Sequence, residues 1–322
     1  MSTTFTTPQV AITLSAISYL GQLNTNSERF TLMNQAMANT VAGSWSIVWG
    51  PATQGEDLVY VASNGADQYA VVVRGTLFDR IEDVIQDKRV KKQEALPFSA
   101  PSFSGAMVSE GVVEVWTNID NMVSSVPGSG TGSLLAFLQG LTGSPSILVT
   151  GHSLGGQMAT VLAAWFQGTL SQASVLPITF AAPTAGNPAF ASSFDTVFGG
   201  AGAMRYYNTL DVVPLLWTAS GLEAIESMYA GGPQCGWLCK KAVSGTLEAL
   251  QNAGLTYQQP SASTSLRGQL YSTGLVGKFE SEVNDQHRAL YYMDLLGIPL
   301  TTIQVLNATW APPSQVATRS AG

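Results

Sequence analysis

Between positions 146 and 156 the chain reads SILVTGHSLGG, an apolar β-branched run that ends in six residues of which three are glycine. A helical stretch follows at 154–168. A strand that must turn at once into a helix fixes a βα unit, and an apolar strand of this kind is buried on both faces, as in parallel sheets. Gly151-His152-Ser153-Leu154-Gly155 matches G-x-S-x-G, in which a sharp strand-to-helix turn lifts the serine hydroxyl clear of the sheet. The helix N-terminus beneath it favours negative charge developing beside Ser153. Taken alone, the same residues also read as a Gly-rich βα turn with no chemical role.

The rest of the chain extends this unit. Thr7-Pro8 reads as N-cap and first helical residue, and Val10, Leu14, Ile17 and Leu20 form one apolar stripe that Gly21 is placed to end. A second helix is expected over 27–39. Short runs at 45–49, 57–62, 69–74, 147–150, 175–181 and 204–209 have strand character, and helical patterns fall at 111–122, 132–141, 154–168 and 286–296. This alternation predicts an α/β fold with a mainly parallel central sheet flanked by helices. Region 217–275 is rich in Gly, Ser and Gln, shows no clear strand and offers little apolar material for a core of its own. It reads as an insertion or cap within a single domain spanning 1–322.

Composition excludes several classes. With 45% hydrophobic and 11% charged residues, the chain is not of the disordered kind. A net charge of −7 disfavours nucleic acid as a partner, because phosphates call for a basic surplus. The two histidines and two cysteines make a zinc centre improbable, so no metal and no organic cofactor is expected. Cys235 and Cys239 either pair with each other or stand as small apolar residues. No run reaches the roughly 18 apolar residues of a membrane span, and no cleavable signal is visible, which leaves the compartment unknown.

A serine nucleophile needs a general base. His152 shares the tight turn with Ser153, where its side chain should diverge from the hydroxyl, so it reads as a packed elbow histidine. His287, in NDQHRALYYMDLLG, is then chosen by elimination and expected at the start of a helix after a loop. A carboxylate must fix its tautomer. Of eight acidic residues between Ser153 and His287, Asp211 alone directly follows a convincing strand, where catalytic groups of open sheets collect. Asp285 reads as a helix cap. Donors to an oxyanion are expected from the backbone N–H of Leu154 and from Thr76, which lies just past the 69–74 strand segment and offers an N–H and a hydroxyl.

The stretches VVVRGT (71–76), VTGHSLGG (149–156), TFAAPTAGNPAFA (179–191), YYNTLDVVP (206–214) and QHRALYYMDLLG (286–297) together resemble the class 3 lipases, in the family's order. The resemblance implies an α/β-hydrolase fold and ester hydrolysis on lipids. It also implies Ser153, Asp211 and His287 as catalytic residues, with Thr76 and Leu154 as oxyanion hole. Two positions depart from the family pattern: Ser109-Glu110-Gly111-Val112 stands where His-x-Gly-Phe is frequent, and Thr184 where Arg is common. Family members often carry a lid after the first oxyanion residue, and residues 77–96 are the candidate lid, with Leu77, Phe78, Ile81, Val84 and Ile85 at helical spacing. The basic run Lys88-Arg89-Val90-Lys91-Lys92 reads as a solvated helix end or as a contact for anionic headgroups.

The expectation is thus a serine carboxylic-ester hydrolase, with triacylglycerol as favoured substrate at a lipid–water interface. Phospholipid or short esters are the runner-up. The rivals are an acyltransferase, in which an alcohol replaces water, and a non-catalytic lipid- or protein-binding module.

Overall fold

In the computed structural model, residues 5–76, 81–271 and 278–314 are described, with only the backbone at Ile81 and Glu82. Seven strands form the central sheet: β1 (Ser46–Gln54), β2 (Asp57–Ser63), β3 (Gln68–Val73), β4 (Ser146–His152), β5 (Ser174–Phe180), β6 (Met204–Asn208) and β7 (Ser263–Leu266). They lie side by side in chain order. The first two pairings are antiparallel and the remaining four parallel, as expected for a mainly parallel sheet.

Both faces of the sheet are apolar because its central strands alternate without polar interruption. Val59, Val61, Val71, Val73, Ile147 and Val149 point to one face. There they meet α4 (Glu110–Asn121), α5 (Leu134–Gln139), α6 (Leu154–Thr169) and α7 (Pro188–Phe198). Leu58, Tyr60, Ala62, Ala70, Val72 and Leu148 point to the other. That face is covered by α1 (Thr7–Ile17), α2 (Asn26–Ala38), α11 (Ala289–Leu295) and α12 (Leu300–Leu306). Helix α1 is buried from Ala11 to Ile17 and is tied to the sheet where the Tyr60 hydroxyl donates to Leu14 O at 2.7 Å. The result is the α/β-hydrolase layering, with the carboxyl ends of β3, β4 and β6 at one edge.

Several expectations need correction. Region 217–275 does contain a strand: β7 pairs in parallel with β6 as an edge strand. Its sequence, STSL, escaped notice because an edge strand needs no continuous apolar run. The region also holds α8 (Ala219–Ile225) and α9 (Trp237–Asn252), and it builds more core than expected. Leu222, Ile225, Cys239, Val243 and Leu250 are buried together, but Ile85, Val90, Phe279 and Val283 from outside the region complete that cluster. Finally, the helix expected at 286–296 is two helices, α10 (Phe279–His287) and α11, broken by extended backbone at Arg288 (φ −62°, ψ 132°). His287 therefore ends a helix rather than starting one. Asp285 is no N-cap: it lies in the last turn of α10, 3.2 Å from Arg288.

The candidate lid is described only in part. Leu77, Phe78 and the Ile81 side chain lie outside the described residues. The short helix α3 (Ile81–Ile85) precedes a 3-10 turn, Lys88–Lys91, and Ile85 is buried against the 217–275 core. Arg89 of the basic run pairs with Asp87 and Glu114, and Lys92 with Glu94 and Glu110. Cys235 and Cys239 form a disulfide.

Candidate active site

Ser153 stands between β4 and α6 with φ 62° and ψ −134°, a left-handed backbone that a non-glycine residue adopts only under constraint. The constraint is visible. The Ser153 N–H donates to Phe180 O at 3.0 Å, and its carbonyl accepts from Gly156 and Gln157 at 2.8 and 3.1 Å. Glycine at 155 lets the elbow pass against β3, since a Cβ there would strike the carbonyl of Val73 and the backbone of Arg74 and Gly75.

The structure brings the Ser153 hydroxyl to 2.8 Å from Nε2 of His287, and Nδ1 of His287 to 2.8 Å from Oδ2 of Asp211. All three residues are buried. A carboxylate at Nδ1 selects the tautomer in which that nitrogen carries the proton, leaving Nε2 free to accept from the serine. Asp211 sits just beyond β6, in a turn where its Oδ1 accepts from the Val213 N–H at 2.9 Å.

Two residues that sequence reasoning passed over hold this arrangement. The Tyr292 hydroxyl, on α11, donates to Asp211 Oδ2 at 2.8 Å and accepts from the Asn208 N–H at 2.9 Å. Burial and the adjacent carboxylate push this phenol well above its usual pKa, so it remains a donor. Asn208, at the end of β6, donates through Nδ2 to the backbone carbonyl and side-chain Oε1 of Gln286 at 3.0 and 2.7 Å. Gln286 also donates to Gln269 O and to Glu282. The segment bearing His287 is thereby knotted to the strand bearing Asp211. The only sequence signal was the pair Tyr291-Tyr292 in the motif, and nothing there says which hydroxyl turns inward.

His152 is placed as expected, buried and away from the serine hydroxyl. Its Nδ1 lies 3.0 Å from the Tyr19 hydroxyl, and its ring centroid 4.7 Å from that of His287. Burial, and then the nearby His287, hold its pKa well below the ordinary 6.5. It packs beside the His287 ring in its neutral form.

Leu154 is the first residue of α6, so its N–H has no intrahelical acceptor. Thr76 follows β3, and the chain passes so close to the elbow that a Cβ at Gly75 would lie 2.9 Å from that of Ser153. Thr76 and Leu154 both line one cavity of about 300 Å³, whose other walls include Glu56, Asp57, Arg74, Arg89 and Glu114. Thr76 also borders a second cavity of about 560 Å³ beside His152 and His287, with Leu20, Ala289, Leu290 and Leu306 in its wall. No described helix is long and apolar enough to cross a membrane.

Comparison with known proteins shows what this chain is similar to. The family profile described as Lipase (class 3) matches residues 70–220. The crystal structure of M37 lipase superimposes with a TM-score of 0.82 at 27% identity, over 93% of this chain and 97% of that one. Lipase II from Rhizopus niveus shares the fold, with a TM-score of 0.50 at 18% identity over 66% of this chain and 75% of its own. The secreted mono- and diacylglycerol lipase 3 of Gibberella zeae is 27% identical over 146 residues, which is 44% of this chain but only 39% of that relative's length.

Proposed function

We propose that this chain, whose residues 70–220 match the class 3 lipase profile, hydrolyses the carboxylic ester bonds of acylglycerols through a serine acyl-enzyme. The observation that carries this reading is the unbroken path from Ser153 Oγ through His287 to Asp211, with 2.8 Å at each step.

In this mechanism Ser153 Oγ attacks the ester carbonyl as its proton passes to His287 Nε2. Asp211 holds the Nδ1 proton and stabilises the imidazolium. The carbonyl oxygen becomes an oxyanion that the Leu154 N–H and Thr76 stabilise, each such donor contributing about 3 kcal/mol to the barrier reduction. When the tetrahedral intermediate collapses, the C–O bond breaks and His287 returns its proton to the departing alcohol. Water then attacks the acyl-enzyme with His287 as base, releasing the fatty acid and restoring the Ser153 hydroxyl. The 560 Å³ cavity at His287 supplies an aliphatic wall for an acyl chain.

The test is hydrolysis of p-nitrophenyl esters from acetate to palmitate by the wild type and by Ser153→Ala. We expect the variant to lose on the order of six decades of kcat, with the wild type's chain-length profile separating lipase from short-ester hydrolase. A wild type inert on every ester, or a variant with undiminished rate, overturns the reading in favour of a binding module.

A further inference from the structure

At the start of α9, Cys235 and Cys239 are buried and bonded to each other, whereas Gly236, Trp237 and Leu238 between them face solvent. Trp237 is 71% exposed and Leu238 51%. The disulfide ties the residue before the α9 N-cap to the first turn of the helix, with the two Cα atoms 5.6 Å apart, and so closes the tip that carries both exposed apolar side chains. Lys240 and Lys241 follow directly and are also exposed, and the Lys241 ammonium lies 5.1 Å from the centroid of the Trp237 indole.

From this tip we propose that Trp237 and Leu238 form an interfacial anchor that inserts into the surface of aggregated lipid, with Lys240 and Lys241 at headgroup depth. The proposal rests on the lipase reading above and deepens it. An indole beside a leucine, backed by ammonium groups, matches the layering of a lipid surface: apolar side chains reach toward the acyl region while cations stay with phosphate or carboxylate groups. The charge is complementary to what ester hydrolysis produces, because released fatty acids leave carboxylates at the interface. Lys240 also lies 3.9 Å from Glu226, while Lys241 stacks on the indole and leaves its charge at the tip. A protein partner fits the tip less well. A stable protein interface buries roughly 800 Å² per side, far more than two consecutive side chains present. A lipid surface needs no such complementary area, and the rigid tip loses little conformational entropy on insertion.

The position of the tip suits that role. Helix α9 packs on the segment that follows the oxyanion region: the Thr246 hydroxyl donates to Ile85 O at 3.0 Å, and the Tyr257 hydroxyl, beyond α9, donates to Val90 O at 2.7 Å. Leu154 packs against the same cluster. The disulfide at the base of the tip, the 217–275 core and the segment around Ile85 and Val90 therefore share one packed cluster.

The experiment compares wild type with the Trp237→Ser/Leu238→Ser double variant, using co-sedimentation with phosphatidylcholine vesicles with and without oleate, and hydrolysis of soluble p-nitrophenyl butyrate. We expect the soluble rate unchanged, which also reports an intact fold, and vesicle affinity reduced at least about tenfold. Lys240→Gln/Lys241→Gln should reduce the oleate-dependent gain about fivefold per lysine. Equal vesicle binding by wild type and the double variant overturns the anchor, as does a wild type that hydrolyses the soluble ester yet never binds vesicles. Failure of the lipase reading shows separately, as a wild type without soluble-ester activity.

Discussion

The carboxylate oxygen of Asp211 that His287 Nδ1 approaches at 2.8 Å is the same oxygen to which Tyr292 donates at 2.8 Å. Oδ2 thus carries two donors, and Oδ1 takes the Val213 N–H. The carboxylate is held in place from three sides, so the imidazole it orients has one position. Tyr292 also lies in van der Waals range of the elbow histidine, His152, with ring centroids 5.6 Å apart.

Tyr292→Phe is the first variant this predicts to be informative. It removes one donor from Asp211 and leaves the buried Asn208 N–H without its acceptor, a loss of about 1–3 kcal/mol in stability. We expect kcat on a soluble ester to fall about tenfold, the equivalent of ~1.4 kcal/mol, with KM unchanged. Urea unfolding and steady-state kinetics read the two effects separately. A stable variant with wild-type kcat would mean that His287 and the Val213 N–H suffice to orient the carboxylate.

Asp211→Asn should cost far more. If the amide nitrogen takes the place of Oδ2, it meets two donors, Tyr292 and the His287 N–H; if it takes the place of Oδ1, it meets the Val213 N–H. Either way a donor faces a donor, and in the first orientation the imidazole is driven toward the wrong tautomer. The expected loss is about 10⁴ in kcat, the order seen when such a carboxylate is neutralised. Single-turnover kinetics that lose less than tenfold would remove Asp211 from the mechanism.

Gly155→Ala tests the elbow rather than the chemistry. Its added Cβ would collide with the Val73 carbonyl and lie 2.8 Å from Gly75 N and from the Arg74 carbonyl carbon. All are backbone atoms, so no side chain can move aside. Destabilisation at or beyond the upper end of the ~1–3 kcal/mol usual for overpacking is expected, measured as a lowered denaturation midpoint. A normal midpoint would show that α6 and β3 separate more readily than their packing implies.

His152 gives a signed pH effect. Its imidazole is held well below the 6.5 at which the unfolded chain protonates it, so below that pH the unfolded state binds more protons than the folded one. Stability from this source is full above 6.5 and declines as the pH falls beneath it. In thermal melts between about pH 5 and 7, His152→Gln should show a flatter acid decline than the wild type. Parallel profiles would assign the acid decline to other groups.

The sequence by itself determined the central sheet and the turn that bears Ser153. The period-2 alternation of residues such as Val71, Val72 and Val73 dictates two buried faces, and the glycines around Ser153 dictate a tight βα corner; both are local properties of chain geometry. It also narrowed the base to His287, because there was only one other histidine. It left hidden whatever depends on long-range packing. The edge strand β7 takes its place from hydrogen bonds to β6, which a polar STSL segment does not announce. The break at Arg288 turns His287 over the serine, and knots such as Asn208–Gln286, 78 residues apart in the chain, hold it there. Only tertiary structure decided that Tyr292 reaches Asp211 while the equally buried Tyr291 meets Gln269, because a helix presents neighbouring residues about 100° apart and so sends the two hydroxyls to different partners.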